Sequence, residues 1–192
     1  MMKSRFSLGL MALLPSFVLA HPGHLETDHA LMSGILHPLG GLDHLLAMVA
    51  VGLWAALLGQ QTKKAIWAVP MSFVVVMIVG FVVGLNIGEV PMSEQAIAAS
   101  VLVMGLAAAW AKQVPVVLAS VMVAAFAFFH GVAHGAEMGE GTAGLFALGF
   151  VLSTVALHLV GVAIGVGLYK HHGLSRTIGT AIGLAGIGFF FA

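Results

Sequence analysis

Residues 65–87 read AIWAVPMSFVVVMIVGFVVGLNI, a run with no charged side chain. As a helix it would rise about 35 Å at 1.5 Å per residue, and a bilayer crossing needs about 20 apolar residues. Backbone polar groups in lipid must bond within their own segment, and the alternating pattern of a barrel strand is missing, so the run reads as a transmembrane helix. Similar runs lie to either side, and their breaks predict helices over 30–58, 94–111, 114–135, 143–168 and 175–191. The expected fold is an all-α integral membrane protein, a bundle of six transmembrane helices forming one domain over residues 21–192. Composition agrees: the chain is 60% hydrophobic and 7% charged, with a mean hydropathy of +1.11, whereas soluble domains carry about 25% charged residues.

The first twenty residues read differently. Lys3 and Arg5 precede an apolar stretch from Phe6 to Leu19, and Val18-Leu19-Ala20 supplies modest side chains where cleavage requires them. This is the pattern of a cleavable signal peptide over 1–20, with His21 opening the mature chain. Loop charges then predict orientation. Lys63, Lys64, Lys112, Lys170 and Arg176 all fall on one side, and Glu89, Glu94, Glu137 and Glu140 on the other. Basic loops stay cytoplasmic, which puts the N-terminus and the C-terminus outside and the protein, as multi-pass, in a bacterial inner membrane.

Composition also excludes. Without cysteine there are no disulfides, thiolate zinc sites or iron–sulfur clusters. A net charge of zero gives nucleic acid no electrostatic footing. The cytoplasmic loops are too short for a nucleotide-binding fold, and no phosphate-binding glycine motif occurs. Glycines recur at four-residue spacing, as in Gly80/Gly84/Gly88, Gly131/Gly135, Gly161/Gly165 and Gly179/Gly183, which predicts close helix packing in lipid.

The remaining polar residues gather in two places. The first helix carries His37-Pro38-Leu39-Gly40-Gly41-Leu42-Asp43-His44, and the fourth carries Phe129-His130-Gly131-Val132-Ala133-His134-Gly135-Ala136-Glu137. Ionisable groups at membrane depth are expensive and mark ion or substrate paths. Imidazole with carboxylate suits nickel, cobalt, zinc or iron. On a continuous first helix, His37 and His44 would share a face two turns apart, with Pro38, Gly40 and Gly41 loosening it. His130, His134 and Glu137 share one face of theirs. Depth along the helices sketches two levels: an outer one of His37, His130, His134 and Glu137, and a deeper one of Asp43, His44 and His158. Asp43 could instead orient a ligand histidine. His21, His24 and His29 form a weaker, outward-facing group that could gather metal or simply be solvated.

Both motifs, and nearly the whole chain, resemble the hydrogenase/urease accessory family of membrane proteins (HupE/UreJ), which are nickel or cobalt permeases. The resemblance implies uptake of Ni²⁺ or Co²⁺ from periplasm to cytoplasm, feeding metalloenzyme maturation such as that of hydrogenase or urease. It also implies functional roles for His37, Asp43, His44, His130, His134 and Glu137. The metal would be the transported substrate, with no permanently bound cofactor and no enzymatic activity. Expected partners are the metal ion and the lipid bilayer, with room for a homo-oligomer and for metallochaperones or nickel-enzyme maturation proteins, and none for nucleic acid.

Residue types alone leave other readings open. One is a b-type haem electron carrier; another is a membrane metal sensor or store that does not transport. An intramembrane metallohydrolase fits the His130/His134 spacing, but Gly131 stands where such an enzyme needs its glutamate. Orientation is directly testable in this cysteine-free chain. A cysteine at position 64 is expected to react with an impermeant maleimide only after lysis, and one at 137 in intact spheroplasts; the reverse pattern would invert the topology.

Overall fold

The computed structural model describes residues 27–88, 90–138 and 142–191. The expected leader, His21, His24, Glu89 and Glu140 lie outside the described residues. Among the described residues seven helices run in order: α1 Thr27–Gly40, α2 Leu42–Gly59, α3 Ala65–Ile87, α4 Ser93–Trp110, α5 Val116–Ala136, α6 Ala143–Gly167 and α7 His172–Phe191. Six of them, α2 to α7, are long and apolar enough to cross a membrane. The chain is therefore a multi-pass membrane protein with an all-helical described fold.

The first apolar run departs from expectation. The continuous helix predicted over 30–58 is broken at Gly41, which adopts extended dihedrals of φ −109° and ψ 122° between α1 and α2. The cause is local. Pro38, inside α1, has no N–H to return to the Gly34 carbonyl, and the glycine pair that follows is a poor helix former. His37 thus ends one helix while Asp43 and His44 open the next.

The bundle is assembled from helix pairs in near backbone contact. Both α1 and α2 lie along α6. A Cβ on Gly34 would strike the Phe146 carbonyl, and one on Gly149 the Leu31 carbonyl; lower down, Gly52 meets the His158 carbonyl and Gly161 the Val49 carbonyl. Because Gly161 faces Val49 and Leu53 while Gly165 faces Leu53 and Ala56, α2 and α6 run parallel. α3 and α5 pair the same way, Gly80 against Phe128 and Gly131 against Met77, whereas α4 and α7 meet antiparallel through Gly105 and Gly183. The four-residue glycine spacing is used for this packing, except at Gly88, which ends α3 with φ +74° and meets nothing.

α2 is the central rod, touching α3, α4, α6 and α7, with thirteen of its eighteen residues buried. Large apolar side chains such as Trp67, Val75, Val82, Val121 and Leu152 point outward, as a lipid-facing surface requires. At one end, three side chains tie the connections together. Gln113 Nε2 donates to the Leu57 carbonyl at 3.0 Å, Tyr169 Oη to Ala56 at 2.9 Å and Arg176 Nε to Ala109 at 3.0 Å. Lys63, Lys64, Lys112, Lys170 and Arg176 gather at this end; Glu94 and Glu137 lie at the other.

Close packing makes a stability prediction. Gly52→Val would drive a branched side chain into the backbone of α6 and is expected to cost at least about 1–3 kcal/mol, the range for overpacking. Gly144→Ala, in open space, is expected to be neutral. Thermal unfolding of both variants in the same detergent checks the contrast.

Candidate metal centre

The helix break builds the site. With α1 ending and α2 starting at one place, the His37 and His44 ring centroids are 5.9 Å apart. Seven residues of unbroken helix would separate them by about 10 Å along the axis. His134 arrives from α5 to meet both. His37 Nε2 lies 3.1 Å from His134 Nδ1, and His44 Nε2 lies 2.8 Å from His134 Nε2. One nitrogen from each of these three histidines lies within 4.8 Å of the others, an arrangement able to hold a metal ion.

Asp43 fixes the polarity of this chain. Its Oδ1 accepts from the His44 backbone N–H and from His44 Nδ1–H, each at 2.8 Å. A carboxylate can only accept, so the His44 proton sits on Nδ1 and Nε2 carries the lone pair. Consistent donors then follow along the chain: His134 Nε2–H to His44, and His37 Nε2–H to His134 Nδ1. Imidazole nitrogens sharing an ion at about 2.0–2.1 Å stand roughly 3–4 Å apart. Small ring movements would convert this wire into a ligand set, provided His134 and His37 shift their protons.

Gly41 makes the Asp43 geometry feasible. A Cβ there would lie 2.7 Å from Asp43 Oδ1 and 3.0 Å from His44 Nδ1. Gly41 thus does more than loosen the helix: it leaves room for the carboxylate–imidazole pair, a role set by through-space distances that spacing does not contain. Asp43 also sits in the first turn of α2, where free N–H groups and the helix dipole favour a negative charge.

The other candidates divide. Glu137 is exposed, with Oε2 3.5 Å from His134 Nδ1. It faces a cavity of about 470 Å³ lined also by Ser93, Glu94, Gln95 and Ala133. Glu94, which in the sequence marks topology, shares this mouth with Glu137. On the other side, Phe146 and Phe150 set their ring edges against His37 at 5.5 and 5.9 Å, and Phe150 against His134 at 4.8 Å, forming an apolar wall. His29 is exposed in the first turns of α1, away from the centre.

The two expected levels are regrouped. Asp43 and His44 join His37 and His134 because the chain break lifts them to that height. His130 lies just inside, its ring 5.5 Å from that of His44. Its Nδ1–H donates to the Phe126 carbonyl at 3.0 Å, which leaves Nε2 as the free ligand atom. His158 is not part of the three-histidine group; it packs against the Phe73 ring at 5.1 Å, and the same ring meets His130 at 5.3 Å.

Sequence comparisons bear on this arrangement. The chain is 42% identical over 187 residues to Protein HupE of Rhizobium leguminosarum bv. viciae, covering 95% of each chain. No solved structure matches it. The family model described as HupE / UreJ protein matches residues 9–189. With that match running through every described helix, the chain belongs to the HupE/UreJ family.

Proposed function

We propose that this protein is a secondary permease that carries a divalent transition-metal ion, Ni²⁺ or Co²⁺, inward across the bacterial inner membrane for metalloenzyme maturation. The observation that carries the reading is the convergence of His37, His44 and His134 at a helix break within a membrane bundle, with Glu137, which lines an acidic cavity, 3.5 Å from His134. The nickel or cobalt identity comes from family membership, since three imidazoles would also accept zinc.

The residues divide the work. Glu94 and Glu137 raise the local concentration of hydrated cations at the mouth. The three imidazoles replace water in the ion's shell. Asp43 keeps His44 Nε2 free and offsets part of the cation's charge where lipid is near. A site of few, neutral nitrogens stays labile, which transport demands. The membrane potential contributes about 2.3 kcal/mol per charge per 100 mV, so inward flow of a divalent ion needs no ATP.

The geometry favours this reading over haem binding. The two histidines that approach most closely, His44 and His134, are hydrogen-bonded at 2.8 Å, and Phe150 sets its ring against His134 at 4.8 Å, so no slot for a macrocycle separates these two rings. A hydrolase reading lacks its glutamate at Gly131.

Uptake of ⁶³Ni²⁺ into proteoliposomes under an inward-negative potential is the test. His44→Ala and His134→Ala are expected to fall to the background of empty vesicles. Asp43→Asn is expected to weaken uptake by roughly 10–100-fold, the usual cost of losing a group that orients a ligand. Gly41→Val is expected to resemble Asp43→Asn although it removes no ligand. Wild-type protein that binds Ni²⁺ but moves none under any gradient would leave the sensor reading in place of the permease.

A further inference from the structure

Below the three-histidine centre the core contains polar atoms that packing alone does not explain. Among the described residues, His130 Nε2 and both ring nitrogens of His158 are buried without a hydrogen-bond partner. The two residues are 0% and 1% exposed. Buried polar groups are nearly always paired, so unpaired ones call for a functional account. These three atoms belong to ligand-forming side chains on α5 and α6, two helices that both pack on α3, and both imidazoles rest against one aromatic ring of α3.

We propose that His130 and His158 form a second, deeper step for the metal ion, and that the Phe73 ring between them is the barrier the ion displaces to move inward. The inference rests on the permease reading above and extends it past the outer centre. Its geometry is a ladder. His130 lies one turn below His134 on α5, about 6 Å along the axis, and His158 lies two turns below Phe150 on α6, about 12 Å. Phe73, 1% exposed, meets both imidazoles edge-on, at interplanar angles of 66° and 83°. One turn outward, Thr154 Oγ1 donates to Met77 Sδ at 3.9 Å, so the wall of the path here also carries a hydroxyl and a thioether.

The far side of His158 continues toward the basic end. A cavity of about 50 Å³ lies against it, lined by Ile66, Pro70, Val74, Val155 and Val162 among others. Its lining is apolar apart from His158 and includes the outward-facing Trp67, Met71 and Leu159, so it is a gap beside the imidazole at the edge of the bundle and not a wet chamber. Pro70 sits inside α3 and has no N–H, so the Ile66 carbonyl beside this cavity lacks its usual helical donor and offers an oxygen.

Charge sets the direction of hand-over. Asp43 and Glu137 accompany the outer centre, whereas none of the described residues lining the cavity at His158 is a carboxylate. Capture is strong and the inner step weak, the order that lets an ion leave. Phe73 keeps the two imidazoles of the deeper step from opening into one continuous wet pore.

The test uses the full chain, in liposomes with ⁶³Ni²⁺ and in detergent with Co²⁺ as a spectroscopic probe. His158→Ala is expected to bind one Co²⁺ at the outer centre as wild type does, yet to transport Ni²⁺ roughly 10-fold or more slowly, the loss seen even for supporting residues around metals. Phe73→Ala, which empties the space between the imidazoles, is expected to bind a second Co²⁺; the double variant Phe73→Ala/His158→Ala is expected to lose that second ion alone. Wild-type uptake by His158→Ala, or a single bound Co²⁺ in Phe73→Ala, overturns the proposal. If His158→Ala does not elute as a folded species, His158→Gln replaces it with the same expected outcomes. A wild type that binds Co²⁺ and carries no Ni²⁺ overturns the permease reading instead, and the Phe73→Ala stoichiometry still decides whether the deeper site exists.

Discussion

The paired hydrogen bonds from His44 to Asp43 Oδ1 are the contact on which the candidate metal centre depends. A carboxylate near lipid is costly unless it is paired and hydrogen-bonded. Here one oxygen takes both the backbone N–H and the ring N–H of the next residue. That fixes the His44 tautomer, turns Nε2 toward His134, and so sets the donor order through to His37. The arrangement needs a helix start at residue 42, because only a first-turn position has a free backbone N–H pointing at the carboxylate. It also needs glycine at 41, where any side chain would meet the pair.

The rest of the bundle holds these few atoms in place. In lipid there is little hydrophobic drive between helices, so association depends on close van der Waals contact through small residues. Gly34 and Gly149 seat α1 on α6, Gly52 and Gly161 seat α2 on the same helix, and Gly80 and Gly131 seat α5 against α3. One helix, α6, therefore aligns both halves of the broken segment. The α3–α5 pair fixes where His130 and His134 enter. The same seams bring Phe73 against both His130 and His158.

In functional terms the site grades from wet and acidic to dry and neutral. Glu94 and Glu137 border an open cavity, Glu137 connects it to His134 of the three-imidazole group at 3.5 Å, and two imidazoles with unpaired nitrogens lie deeper still. The grading matches what a permease for a hydrated dication has to do: attract, dehydrate, then hold less tightly. Phe146 and Phe150 contribute by keeping water from the outer histidines, which strengthens the interaction of the centre with charge.

Much of this was legible in the chain. Composition and run length establish a membrane bundle because the bilayer dictates both hydropathy and helix length, and the run 65–87 coincides with α3 to the residue. The two histidine motifs also stand out in sequence, since ionisable groups are so rare in such a chain. Position along a helix did not reveal which of these residues meet. Helical spacing put His37 and His44 two turns apart and sorted them into different levels. The break at Gly41 brings them together, and it is a competition between Pro38, two glycines and the capture of the His44 N–H by Asp43 that periodicity does not weigh. The meeting of His130 and His158 on the Phe73 ring was likewise hidden, because it joins residues from α3, α5 and α6 that are far apart in sequence. The sequence by itself determined the class of fold and the kinds of ligand, through solvent and chemistry that act residue by residue. The tertiary structure decided the ligand grouping, because grouping depends on distances across helices that only packing sets.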